Sequence, residues 1–406
     1  MPPPSHAHES HTPAADSTLF SDMLYVPLVS ERQHSQSGAD RVGETGHSAV
    51  NRRTFLGVAG AAATTAMAGC SGMGGNSGDG TPTLRVTAWS GNYGERFTQA
   101  IKPIFESRFD ATLEVNTGWN SLLAKIQSAP PDDPPFDVTV TCEPIYYNGR
   151  NADLFEPLRY DENIPNIDGV YDYYKDVRPI SHGAPVDGAP LTILYRDGLD
   201  QPVETWGDFT SETVTNSAGV GVDSGFWIYP LLGAAVGTDA APGAGELYEE
   251  QYHDTLMDTL ETWPITGWAS SGTDVWQQFQ NGIIDAAQWY FGQVYYDMEN
   301  HEGISFSMPE ANAGYMDNWA VVRGTDKRTL GEEFINMLLD PEVQSKWSED
   351  HPLFFTTEGM SYAGDLGDYL PTTAEEAEQM ALPRWDDVAP YSETFSNKFK
   401  QMKTQG

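Results

Sequence analysis

Cysteine and lysine are the scarce residues: 406 positions hold two of the first and eight of the second. Cys70 and Cys142 could form one pair at most. With Cys70 assigned below to a lipid, Cys142 has no partner, and no internal disulfide framework is expected. No apolar run of about 18 residues or more follows residue 80, so no bilayer-spanning helix is expected there. Basic residues number 22 against 59 acidic ones, a formal net charge of -37. A phosphate backbone needs clustered Lys and Arg, so nucleic acid is not expected as a partner. His182, His253, His301 and His351, the histidines after residue 80, form no HExxH pair, and neither G-x-x-x-x-G-K-[ST] nor G-x-S-x-G occurs. Asp132-Asp133 and Glu375-Glu376 are adjacent carboxylates that point in different directions from one chain segment, and they read as surface acids. The expectation is therefore a protein with no catalytic residues, no cofactor and no resident metal; a secreted hydrolase is the alternative of a different class.

What the sequence has in excess is acid, with a pI of about 4.3. A highly charged surface repels itself and stays solvated. In about 1 M salt the Debye length is about 3 Å, so a diffuse acidic field has little reach and the charge reads as a solubility adaptation. The acidic, lysine-poor composition resembles that of proteins from salt-loving archaea.

The strongest local pattern is Asn51-Arg52-Arg53-Thr54-Phe55-Leu56, a twin-arginine pair before a Gly-, Ala- and Thr-rich run from Phe55 to Gly69. That run is too short and too weakly apolar for a transmembrane helix and fits an export signal, residues 51–70. It ends in Met67-Ala68-Gly69-Cys70, which resembles a lipobox, so Cys70 is expected to carry a lipid. Residues 71–82 are Gly/Ser-rich and suit a flexible tether. Residues 1–50 show no periodicity and read as a disordered extension or a start codon assigned too early. The protein is expected to be exported and held at the outer face of the cytoplasmic membrane.

From Pro82 onward, strand and helix patterns alternate. Leu84–Ala88, Thr112–Val115 and Phe136–Thr141 read as strands; Phe97, Ile101, Ile104 and Phe105 fall at helical spacing, and Ser121–Ser128 is a short helix. Pro190–Tyr195, Val220–Val222, Ile283–Trp289 and Asn318–Val322 are further strands. Tyr248, Tyr252, Leu256 and Leu260 mark one helix. Leu330, Phe334, Met337 and Leu338 mark another that stops near Asp340-Pro341. Such alternation predicts an α/β architecture.

Several segments, taken in order, resemble the spermidine/putrescine-binding family of extracellular solute-binding proteins that serve ABC importers. They are Leu84–Phe97 with Trp89-Ser90 and Tyr93, Phe136–Cys142, Asp153–Leu158, Glu204–Phe209, Tyr315–Val321 and Phe334–Val343, the last being the most specific. The resemblance implies a two-lobed periplasmic-binding-protein fold (type II clamshell) with hinge strands, closing on one small molecule and read by ABC permease subunits. On that pattern lobe 1 comprises 83–187 and 312–345, and lobe 2 comprises 188–311 and 346–406, in a chain expected to be monomeric.

In such a fold the ligand lies at loops after the C-terminal ends of strands. The candidates are Trp89, Ser90 and Tyr93 after the first strand, Glu143 after Phe136–Thr141, Asp223 and Trp227 after Val220–Val222, Trp289 with Gln293, and Tyr315 with Asp317. Aromatic walls and carboxylates together suit an organic cation. Three family acids are missing: Gly91-Asn92, Trp227 and Gly292-Gln293 stand where the resemblance places carboxylates. Fewer acids would suit a smaller or singly charged cation, or an uncharged solute. The tyrosines at 146, 147, 290, 295 and 296 suggest an alternative, a ferric-ion binder.

Overall fold

The computed structural model describes residues 81–119, 121–237 and 247–405. Residues 1–50, the export signal with Arg52 and Arg53, Cys70 and nearly all of the tether lie outside the described residues.

In β1 (Thr83–Ala88) the alternating Leu84, Val86 and Ala88 are all fully buried. The helix Asn92–Arg108 buries Phe97, Ile101 and Phe105, residues four apart on one face. Pro103 is tolerated in it on the exposed side. β1 pairs in parallel with β2 (Thr112–Thr117) and with β3 (Val138–Thr141), and the connecting helices cover the sheet. A second parallel set is built from β5 (Val220–Asp223), β6 (Ile265–Ala269) and β7 (Ala286–Tyr290).

Two long antiparallel strands join these sets. β4 (Ala184–Arg196) pairs through its first half with β9 (Asn312–Val321), and through its second half with β7 and β8 (Ile304–Ser307). β9 continues from β4 to β3. The main path across the sheet runs β2-β1-β3-β9-β4-β7-β5-β6, with β8 branching from β4. This is the expected two-lobed α/β fold, with β4 and β9 as its hinge strands.

Only the second half of β4 is legible in sequence, because Pro185, Gly188 and Pro190 interrupt the first half and proline is rare in central strands. The ladder accommodates Pro185 with a register shift before Asp187. Gly188 is needed for close approach: a Cβ there would lie 2.2 Å from the Tyr315 carbonyl oxygen and 2.4 Å from the Phe354 ring.

Each lobe has its own core. Phe97, Trp319, Phe334 and Trp347 anchor the first, and Trp206, Phe209, Leu232 and Trp263 the second. A smaller cluster around Phe279 and Trp289 lies in the second lobe, behind β7. Residues 353–399 divide between the lobes: Leu353 to Leu382 contribute to the first core, and Trp385, Val388, Phe395 and Phe399 to the second.

Candidate functional site

Asp187 and Asp317 are direct cross-strand partners of the two hinge strands, and both are fully buried. Side chains directly opposite on an antiparallel pair share one face, with Cβ atoms about 5 Å apart. Asp187 is held at both oxygens: the Trp319 indole N–H donates to Oδ1 at 3.2 Å and the Tyr93 hydroxyl donates to Oδ2 at 3.0 Å. The Trp89 indole donates to Asp317 Oδ2 at 2.7 Å. Asp317 Oδ1 is buried and has no hydrogen-bond partner among the described residues. Burial, reinforced for Asp317 by the charge of Asp187, raises both carboxyls above their ordinary range.

Glu143 and Asp223 differ from this pair because the protein already satisfies them. Glu143 opens the helix Glu143–Asn151 at the end of β3. Its Oε1 accepts the Met316 N–H at 3.0 Å and lies 3.0 Å from Arg178 Nη2, while Oε2 accepts the Tyr229 hydroxyl at 2.8 Å. Arg178 is itself 2 % exposed and donates from Nη1 to the Met316 carbonyl and to Asn318 Oδ1. The bond from Tyr229, on helix Ile228–Gly237 of the second lobe, to Glu143 of the first ties the lobes together. Asp223 Oδ1 accepts the N–H groups of Gly225 and Phe226, and Oδ2 accepts the Tyr290 hydroxyl at 2.7 Å.

Aromatic rings enclose this region. Tyr229, Tyr290 and Tyr315 meet with centroids 5.6 to 6.3 Å apart. Burial pushes all three phenols well above their usual range, so they are neutral donors. Trp119, which follows β2 as Trp89 follows β1, stacks on Trp89 at 5.0 Å and is 47 % exposed. His351 braces Tyr93 from behind. Its Nδ1 accepts the Trp347 indole N–H, which leaves Nε2 to donate to the Tyr93 carbonyl. Burial pushes the His351 imidazole down to about 3, so it stays neutral.

Of the residues singled out in sequence, Trp89, Tyr93, Glu143, Asp223, Tyr315 and Asp317 converge here. Ser90 lies half-buried in the turn after β1. Trp227 packs away from the acids, on Phe395 and Trp385 in the second core. Trp289 lies in the cluster behind β7, and its indole donates to Gln293 Oε1 at 2.8 Å, so these two residues engage each other. The next residue, Tyr290, faces the cluster. In a strand a step of one residue changes the face, and the sequence reading stopped one residue short of the strand end. Sequence reasoning also missed Asp187, hidden in the Pro- and Gly-rich half of β4, and Arg178, in the irregular stretch before it. Trp119 had a usable signal, its place two residues after the end of β2. Gln288, on the Tyr290 face of β7, is fully buried and neither amide atom has a partner.

The model of the family described as "Bacterial extracellular solute-binding protein" matches residues 99–369. The chain belongs to that family. A related solute-binding protein is the gamma-aminobutyric acid-binding protein of Pseudomonas aeruginosa, 30% identical over 129 residues, which are 30% of this chain and 32% of the relative. The match thus spans about a third of that relative's length. An ABC transporter substrate-binding protein from Bradyrhizobium japonicum superposes with a TM-score of 0.67 at 17% identity, over 79% of this chain and 99% of the other. The spermidine/putrescine substrate-binding protein PotD of Streptococcus pneumoniae superposes with a TM-score of 0.61 at 16% identity, over 80% and 99%. At these identities the superpositions show the shared fold of solute-binding proteins.

Proposed function

We propose that this chain is the capture subunit of an ABC importer, taking a small organic cation between its lobes and passing it to permease subunits in the membrane. One observation carries the reading: Asp187 and Asp317 are buried side by side, no Lys or Arg among the described residues forms an ion pair with either, and one oxygen of Asp317 is unpartnered. An ammonium group supplies the missing donors and charge, and Trp89, Tyr93 and Tyr315 supply cation–π faces and walls for methylenes. Two of the similar proteins are named for amines, gamma-aminobutyric acid in one case and spermidine and putrescine in the other.

The test is a thermal-shift screen of the full chain in high salt with putrescine, spermidine, 4-aminobutyrate, glycine betaine and a neutral sugar. A ligand of the folded state raises the midpoint by mass action. An amine is expected to raise it, and Asp317→Asn to abolish that rise. A rise with the sugar alone, retained in Asp317→Asn, would defeat the cationic assignment.

The ferric-ion alternative has less support. The Tyr146 hydroxyl donates to the Pro179 carbonyl, that of Tyr290 to Asp223, and that of Tyr295 to Asp365; the Tyr296 ring lies under Arg96. These phenols do not share one centre.

We also propose that Cys70 carries the lipid that holds the protein at the outer membrane face. Cys70→Ser is expected to shift the protein from the membrane fraction to the medium. Retention of the variant with the membranes would count against the tether.

A further inference from the structure

We infer that Asp187 and Asp317 form a proton-for-ammonium exchange site, in which the two carboxyls share one proton and surrender it when a ligand ammonium enters. This rests on the reading of the cleft as a cation site and adds what the cation displaces. The geometry comes first. The two acids oppose each other in the β4–β9 ladder, both fully buried, and like charges directly opposite in a sheet repel. Two carboxylates so placed, with little water to screen them, retain a proton between them.

The neighbours leave no other source of compensation. From the end of β1, the Trp89 indole faces Asp317. From helix Asn92–Arg108, the Tyr93 hydroxyl faces Asp187. From β9, Trp319 donates to Asp187, and the Tyr315 phenol lies near both acids. From the end of β3 and the helix after it come Cys142, its thiol pushed up by burial, and Glu143. Among the described residues, the cation that acts on Asp317 is Arg178, and it is already paired with Glu143 at 3.0 Å. His351, behind Tyr93, is neutral. The three side chains that hydrogen-bond to the pair, Trp89, Tyr93 and Trp319, are all neutral donors.

The exchange balances. Before binding the pair is one carboxylic acid and one carboxylate. The entering R–NH3+ donates to Asp317 Oδ1, the acid O–H bond breaks, and its proton leaves to solvent. The site then holds two carboxylates and one ammonium. Total charge is conserved, and the net charge buried at the pair stays at one negative, carried first with the proton and then with the ammonium. The aromatic walls then discriminate by size between a proton and an amine.

Two measurements on the full chain test this, with putrescine as the probe. An infrared spectrum of the ligand-free chain at neutral pH is expected to show the C=O stretch of a protonated buried carboxyl, absent from Asp187→Asn. Titration calorimetry in phosphate and in Tris is expected to give binding enthalpies that differ with the buffer, reporting up to about one proton released per site. Affinity should rise by up to about tenfold per pH unit until the pair is ionised, then level off. Putrescine binding with a buffer-independent enthalpy, or no protonated carboxyl band, would overturn the exchange and leave the cation cleft standing. A band present in the free chain that no amine removes, with no amine bound, would overturn both. A spectrum whose band disappears on adding putrescine, together with proton release, supports both.

Discussion

Arg178→Met is expected to lower the stability of the chain by about 3–5 kcal/mol, measured by chemical denaturation in high salt. The guanidinium is buried, pairs with Glu143, and donates to the Met316 carbonyl and the Asn318 side chain. Methionine restores part of the volume and none of the charge. Glu143 would then be a carboxylate sealed from water with no cation, which is the expensive way to break a buried pair. Total stability of a domain is about 5–15 kcal/mol, so the loss is large enough to populate unfolded chain. The control is Arg178→Met combined with Glu143→Met, which removes both charges. Replacing a buried pair with apolar side chains is often nearly neutral, so the double variant should recover much of the loss. A single variant within about 1 kcal/mol of the parent would show that Arg178 does not hold the acids in place.

Trp89→Ala is expected to weaken amine binding by at least about 30-fold, because truncating a buried aromatic anchor costs about 2 kcal/mol or more. The substitution removes the stacking partner of Trp119 and the indole that donates to Asp317. Trp289→Ala should behave in the opposite way. Its ring is packed among Leu194, Phe279 and neighbours, so its loss leaves a cavity costing about 3–5 kcal/mol of stability, with a smaller effect on affinity. Affinity for putrescine and the denaturation midpoint, measured for both variants, separate the two roles. A larger loss of affinity in Trp289→Ala than in Trp89→Ala would mean the cleft has been placed on the wrong side of β7.

The contrast between these tryptophans shows how far the sequence carries. Strands built from clean alternation, such as Leu84–Ala88, and helices with one apolar face, such as that of Phe97 and Phe105, were legible because burial follows local periodicity. The family pattern pointed to Trp89, Tyr93 and Asp317, and all three meet in the structure. Asp187 was not legible. It lies between Pro185 and Pro190 in a strand that exists only because β9, about 130 residues later in the chain, pairs with it. Tyr290 was singled out only for the ferric alternative, because the strand reading ended one residue early and parity decides the face. The structural role of Glu143 was hidden too: its partners, Arg178, Tyr229 and Met316, come from three separate parts of the chain, and spacing says nothing about such convergence.

The chain passes between the lobes three times: along β4, back along β9, and out again between Leu382 and Trp385. A body pinned at three points cannot twist or slide freely, because each pin removes directions of travel that the other two would permit. Motion between the lobes is thereby narrowed to bending of these three segments. A guest held between the lobes then does its work on those segments. Two of the pins carry the aspartates proposed to grip that guest, so the grip and the pivot share the same pieces of backbone. Retuning the chain to a different solute by changing Asp187 or Asp317 would therefore also change the stiffness of the pivot.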